Sequence, residues 1–478
     1  MTDIFARFET ALAEAGPAAL RAGQFGRGAR IDGPLGPVPL VYADDTASGR
    51  ALRQVETLLQ EEVLPFYANS HTEASHCGGL MTRLRRAARA RVAMGCGADD
   101  AHAVIFCGGG ATAGINRLVG LLGIPAARAQ GRPVHVLIGP WEHHSNILPW
   151  RESGAEVTEL PEGPHGPCLD ALDAGLARAR AAGALCVVAV SGASNVTGAI
   201  ADTARVTRAV KRGGGLMVWD MACAAPYLPL EMRPGGAEAD AMVLSPHKFA
   251  GGPGASGVLV IRRAACAATR PTQPGGGTVR FVGPETHDYL PDLAAREEAG
   301  TPNVLADLRA ALAFAVKGAM QAMGLLETEA TLARRGLEAL RAAPGIELLG
   351  CPDRPRLPVF ALRVTAADGE PVHQQLATRM LSDLSGVQAR GGCACAGPYV
   401  HRLLGIDAAA SEALRARILA GEELAKPGFL RFNLSPMMEA YEVDAVLDAV
   451  AALPAQAVRH RDGYAADPAR AVFGPRAA

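Results

Sequence analysis

The chain has 478 residues, 49% of them hydrophobic and 20% charged, and its 47 basic and 48 acidic side chains leave a net charge of −1. A chain of this length buries a large core and is expected to divide into two domains. Balanced charge excludes the basic or acidic field that nucleic acid or a membrane surface would select, and no apolar stretch reaches the roughly 18 residues of a membrane span.

In chain order, residues 1–9 carry acids and no apolar h-region, so no signal peptide is expected and the chain reads as cytoplasmic. Residues 51–63 and 79–92 have helical periodicity. Apolar runs then alternate with helical patterns at 103–106, 134–138, 185–190, 216–219, 241–244 and 257–261. Short, wholly apolar runs between helices predict a doubly wound, mostly parallel sheet covered on both faces. The Gly/Pro loop at 271–277 marks a change in composition. Beyond it a helical stretch is expected over 304–342, a strand at 359–364, a helix at 373–384 and a strand at 429–432. The resulting layout is an N-terminal segment, 1–40, packing on a small domain, a large domain, 41–300, a smaller α+β domain, 301–455, and a polar tail, 456–478. The ten cysteines are scattered, and several sit in apolar runs as small hydrophobes, so they do not form a disulfide framework.

Polar residues cluster where these strands end, the place where open α/β sheets gather ligands. Lys248, in Ser245-Pro246-His247-Lys248, follows the run 241–244 and precedes a glycine-rich turn; Asp220 closes the run 216–219. A lysine and an aspartate at the ends of two neighbouring buried strands suit pyridoxal 5'-phosphate (PLP). The lysine amine condenses with the aldehyde, and the carboxylate keeps the pyridine nitrogen protonated. Cys107-Gly108-Gly109-Gly110-Ala111-Thr112 leads into a predicted helix, and its N–H groups with the Thr112 hydroxyl offer a phosphate cradle. His143, in Glu142-His143-His144-Ser145-Asn146, is placed to lie over a pyridine ring and move protons. Asn195, after 185–190, is a candidate donor to a ring hydroxyl or a substrate carboxylate. For each of these the bland alternative is ordinary turn chemistry or a satisfied loop side chain.

Seven runs in order resemble the class V aminotransferases, and among them the cysteine desulfurase and selenocysteine lyase group: Val41-Tyr42-Ala43-Asp44-Asp45, Gly110 to Asn116, Glu142 to Trp150, Ser194-Asn195-Val196-Thr197-Gly198, Ser245 to Lys248, Ala299-Gly300-Thr301-Pro302-Asn303 and Arg390-Gly391-Gly392-Cys393-Ala394-Cys395-Ala396. The resemblance covers roughly residues 40 to 450 and implies the PLP-dependent transferase fold of type I. It also implies that Lys248 is the cofactor lysine, Asp220 the pyridinium partner and His143 the stacking residue, with Ala111, Thr112, Ser245 and His247 at the phosphate and Thr301 donated by a partner subunit in a homodimer. Arg431 would clamp the substrate carboxylate with Arg390 nearby, Asn195 would touch cofactor or substrate, and Cys395 would take sulfur from L-cysteine as a persulfide, leaving alanine. A sulfur-acceptor protein is an implied partner. Two departures stand out: Cys223 where the family has glutamine, and Cys393 where histidine is frequent. Cys393 would accept sulfur from Cys395 or form a redox pair with it. The Arg-x-Gly-Cys-x-Cys pattern also resembles molybdenum cofactor sulfurases, and a C–S lyase, an epimerase or an aminotransferase for another amino acid remain alternatives. The two cysteines alone do not make a metal site.

Overall fold

A computed structural model describes residues 4–70 and 72–476. The chain divides into two compact units. The larger comprises the chain through residue 25, 48–193 and 201–323; the smaller comprises 26–47, 194–200 and the chain from 324 onward.

In the larger unit seven strands form one sheet: β1 (His102–Phe106), β2 (Val134–Ile138), β3 (Glu156–Glu159), β4 (Leu185–Ser191), β5 (Leu216–Asp220), β6 (Ala241–Leu244) and β7 (Val258–Arg262). Their order is β1-β7-β6-β5-β4-β2-β3. β7 runs antiparallel to its neighbours β6 and β1, and the other pairs in the sheet are parallel. Every residue of β1, β2 and β6 is buried, which is why these strands read as unbroken apolar runs. Ile105, Val136, Val187, Val218, Val243 and Leu259 belong to one core cluster, each worth about 1.5–3 kcal/mol of burial. β3 was not legible, because Glu156-Val157-Thr158-Glu159 is a half-exposed edge strand.

Four helices matter to the argument in this unit: α1 (Ile4–Ala22), α2 (His76–Gly95), α3 (Gly110–Leu121) and α4 (Val304–Ala322). α1 buries Phe5, Phe8, Leu12 and Leu20 and packs on α4 and α2. It therefore lies in the larger unit, where the sequence suggested the smaller domain; its apolar stripe packs on α4, a long helix buried over most of its surface. The expected helix over 304–342 is two helices. α4 ends at Ala322, Gly324 takes φ +70°, and α5 (Glu329–Ala342) starts afresh in the smaller unit.

The smaller unit is an antiparallel sheet of β8 (Ile346–Leu348), β9 (Val359–Thr365), β10 (Arg390–Gly392) and β11 (Phe429–Asn433), in the order β8-β9-β11-β10, with Pro371–Val372 paired to β9. α5, α6 (Gln374–Ser385) and α8 (Ala440–His460) flank it, α8 packing on both α5 and α6. Phe360 of β9 and Phe432 of β11 stack at 5.2 Å at its centre. Residues from 456 are not a loose tail. α8 continues to His460, a hairpin pairs Tyr464–Asp467 with Val472–Pro475, and Ala457 and Tyr464 bury in the same cluster. The segment between His401 and Phe429 carries α7 (Ala408–Leu419), which buries none of its residues.

Candidate active site

In the larger unit the polar residues gather at the C-terminal ends of β1, β2, β5 and β6. The loop after β1 bends through Gly108 and Gly110, at φ +67° and +65°, and delivers α3. Ser245, at the end of β6, receives the Ala111 N–H on its Oγ at 3.0 Å. A Cβ on Gly110 would come within 2.8 Å of that Oγ and 3.0 Å of the His247 ring, so glycine is what lets the two loops close on each other. Ala111, Ser245 and His247 thus share one cradle. Thr112 joins it on the other side: its Oγ1 lies 2.6 Å from Ser145 Oγ, which is 2.9 Å from His143 Nδ1. The Ser145 N–H also donates to that Nδ1 at 3.1 Å, an arrangement that suits an imidazole whose Nδ1 accepts. Burial, with the Lys248 cation beside it, pushes the His247 imidazole down to about 4, so it is neutral at pH 7.

Asp220 ends β5 as a fully buried carboxylate, and its Oδ1 accepts the Ala222 N–H at 2.9 Å. Burial raises its pKa, while that N–H and the Lys248 charge pull it back. Lys248 closes a short 3-10 turn, Pro246–Lys248. The chain then doubles back so tightly that a Cβ on Gly252 would sit 1.9 Å from the Pro246 carbonyl oxygen. Cys223 is buried in the turn after Asp220.

Sequence reasoning missed the group that ties the loop after β2 to the end of β4. Glu142 is buried; its Oε1 accepts the Ser191 N–H at 2.7 Å, and its Oε2 accepts from Ser191 Oγ at 2.5 Å and Asn146 Nδ2 at 2.6 Å. Asn146 Oδ1 in turn accepts Trp150 Nε1–H at 2.9 Å. Burial pushes the Glu142 carboxyl up to about 8, against those hydrogen bonds and with the Asp220 charge adding to the rise. The i, i+4 spacing of Glu142, Asn146 and Trp150 was the available signal. Thr301 lines a cleft of about 490 Å³ with Gly108, Asn116, Arg117 and Gln273 of its own chain.

The remaining candidates lie in the smaller unit. Arg431, buried on β11, donates to Asp44 Oδ1 at 2.7 Å and to the Asn195 carbonyl at 2.9 Å. Arg390, its cross-strand partner on β10, donates from Nε to Asp44 Oδ2 at 3.0 Å. The parallel pair Val41–Tyr42 with Val387–Gln388 delivers Asp44 there. One carboxylate therefore spans both arginines, a role the sequence did not disclose for Asp44. Arg431 Nε is buried and has no hydrogen-bond partner among the described residues. Asn195 Nδ2 donates to the Ala394 carbonyl at 2.8 Å, so this side chain holds the cysteine turn. In that turn Ala394 and Cys395 take φ +46° and +55°, each a cost of about 1–2 kcal/mol for a residue with a Cβ. Cys395 is exposed and Cys393 half-buried. Among the described residues no group of three or more His, Cys, Asp or Glu is placed to hold a metal ion, and no helix is long and apolar enough to cross a membrane.

A lysine, an acid and a glycine-bounded anion cradle at the ends of parallel strands define a cofactor-binding α/β enzyme. The family model for aminotransferase class V matches residues 41–446, and the chain belongs to that family. It is 28% identical over 384 residues to a probable cysteine desulfurase of Halalkalibacterium halodurans, covering 78% of this chain and 88% of the relative. A cysteine desulfurase from Thermococcus onnurineus superposes with a TM-score of 0.71 at 23% identity, over 87% of this chain and 94% of that one. The cysteine desulfurase CsdA of Escherichia coli does so with a TM-score of 0.70 at 23% identity, over 91% and 98%. These two share the fold, the type I architecture of the PLP-dependent transferases, as expected from the sequence.

Proposed function

We propose that this chain is a PLP-dependent cysteine desulfurase that takes sulfur from L-cysteine and releases alanine. The observation that carries the reading is Cys395, an exposed thiol on a positive-φ turn, in the same unit as a buried arginine with an unpaired Nε. The names of the relatives, and the class V family, support it.

The residues fit the cofactor on two observations. Asp220 is a buried carboxylate that a cationic ring nitrogen would neutralise. The cradle of the Ala111 N–H, Ser245 Oγ and the neutral His247 ring is made of groups that bind an anion, and only glycine fits at its base. When bound, PLP supplies an aldehyde that an amine can hold and a ring that withdraws electrons. Lys248 would hold the cofactor and then move protons at the substrate, and His143 would lie on the ring. Thr112, with Ala111, Ser245 and His247, would bind the phosphate, joined by Thr301 from the partner of a homodimer.

Arg431 would present its Nε–H to the α-carboxylate of the substrate, with Arg390 beside it. Asn195 would orient the carboxylate or the ring oxygen, and its hold on Ala394 couples that contact to the cysteine turn. Cys395 then attacks the substrate sulfur: the Cys395 Sγ–sulfur bond forms, the C–S bond breaks, and the carbon takes a proton on the way to alanine. The sulfur remains on Cys395 as a persulfide for an acceptor protein. A cytoplasmic setting, where thiols stay reduced, suits this chemistry.

Purified protein incubated with PLP and L-cysteine is expected to give alanine, identified by mass spectrometry. Cys395→Ala is expected to lose sulfide and persulfide formation while the cofactor absorbance persists. A keto-acid product, or undiminished turnover in Cys395→Ala, would move the assignment to another class V reaction.

A further inference from the structure

The turn that presents Cys395 carries a second thiol. Cys393 and Cys395 are the first and third residues of a reversal closed by the Ala396 N–H donating to the Cys393 carbonyl at 3.0 Å. Its two central residues lie at positive φ without being glycine, and the Asn195 amide pins the Ala394 carbonyl from outside. The reversal is therefore held in a backbone shape the sequence does not favour, with a cysteine at each of two positions. Two Cα–Cα steps of about 3.8 Å, folded by a turn, leave the two Cα atoms less than roughly 7 Å apart, the separation a disulfide spans. Cys395 is exposed and Cys393 only half so. Cys395 is thus the thiol open to an acceptor, with Cys393 beside it in the same turn.

We infer that Cys393 is the resolving thiol for sulfur carried by Cys395, so that the two form a dithiol–disulfide centre. The inference rests on the desulfurase reading for the source of that sulfur. In the step, Cys393 gives up its proton and its sulfur attacks Cys395 Sγ, the inner sulfur of the persulfide. The Cys393 Sγ–Cys395 Sγ bond forms, the bond from Cys395 Sγ to the outer sulfur breaks, and the outer sulfur leaves with the electron pair as hydrosulfide. The outer sulfur is thereby reduced and the two cysteines are oxidised to a disulfide. A thiol reductant must return two electrons and two protons before the next cycle. Sulfide release is thus tied to a reductant, and the persulfide survives for direct transfer only when an acceptor reaches Cys395 before Cys393 does.

The sequence supplies a clean readout. Trypsin cutting after Arg390 and Arg402 releases residues 391–402, whose only cysteines are Cys393 and Cys395. Holoenzyme given one equivalent of L-cysteine per chain, with no other thiol present, is expected to release about one sulfide per chain and be left oxidised. The peptide should then lack two hydrogens, and dithiothreitol should restore turnover. In Cys393→Ser the same peptide should keep one added sulfur, and the sulfide burst should fall at least tenfold. A wild-type peptide that keeps the added sulfur and never forms the disulfide, or an equal burst in Cys393→Ser, would overturn the resolving role. If neither protein gains sulfur nor makes alanine, the desulfurase reading has failed and the resolving role falls with it. The dithiol centre is then judged separately, on resting enzyme treated with one equivalent of hydrogen peroxide. That treatment should join Cys393 to Cys395 and form two waters; thiols left reduced, or paired elsewhere, would refute it.

Discussion

Two loops of this chain leave a strand and reverse through positive φ, and they do so with different residues. After β1 the positions are Gly108 and Gly110, at +67° and +65°; after β10 they include Ala394 and Cys395, at +46° and +55°. Glycine adopts that region freely, whereas residues with a Cβ hold it only when their surroundings impose it. The first loop is a fixed cradle, set by the Ala111–Ser245 hydrogen bond and a near approach to His247. The second is a sprung turn, set by the Ala396–Cys393 bond and the Asn195 amide. Under the function proposed above, the difference would match two tasks: a cofactor phosphate needs one position, while a thiol that collects sulfur and then hands it on needs to be released from one.

The largest expected effect breaks the cradle. Gly110→Ala places a Cβ against Ser245 Oγ at a φ that alanine resists, and a loss of about 1–3 kcal/mol is expected. It should be read as weaker PLP binding in a titration of the apoenzyme together with a lower Tm; an unchanged affinity would show that the loops need not approach.

Next comes the buried acid in the loop after β2. Glu142 keeps its proton to about pH 8 in the folded chain, against 4.5 when unperturbed. Its folded pKa is raised, so the stability it contributes is complete below pH 4.5 and is lost as pH climbs through 8. Relative to Glu142→Gln, the wild type should lose up to about 1.4 kcal/mol per pH unit across that window. Urea unfolding at several pH values would reveal it, and parallel profiles for the two proteins would contradict the assigned cause.

The sprung turn should yield to smaller changes. Asn195→Ala removes one hydrogen bond, worth about 0.5–1.5 kcal/mol. Exchange of the Ala396 amide is expected to quicken about threefold to tenfold, with the Gly110 loop unaffected; equal protection in both proteins would mean that the amide does not hold the turn. Ala394→Gly should relieve strain and raise stability by less than about 1 kcal/mol, since the gain is offset by a freer unfolded chain. A fall in Tm would argue that Ala394 is not strained.

How much of this was visible beforehand follows from the same physics. Strands buried on both faces announce themselves as apolar runs, so β1, β2, β4, β5, β6 and β7 and the polar residues at their ends could be read directly. Edge strand β3 could not, because none of its residues is fully buried. The break between α4 and α5 was hidden because Gly324 is one residue in a strongly helical stretch. Lys248, Asp220 and Ser245 could be placed from their position after strands. Asp44 could not be given a role, since its two arginine partners come from β10 and β11, hundreds of residues away. Glu142 was hidden for a related reason: a carboxyl in a loop reads as solvated until its burial is known.

The proposed function requires that Lys248 hold the cofactor. Holoenzyme reduced with borohydride and digested should carry the pyridoxyl mass on the peptide containing Lys248 and on no other. Protein that stays colourless and unlabelled after reconstitution with PLP, or that is labelled at another lysine, would contradict it.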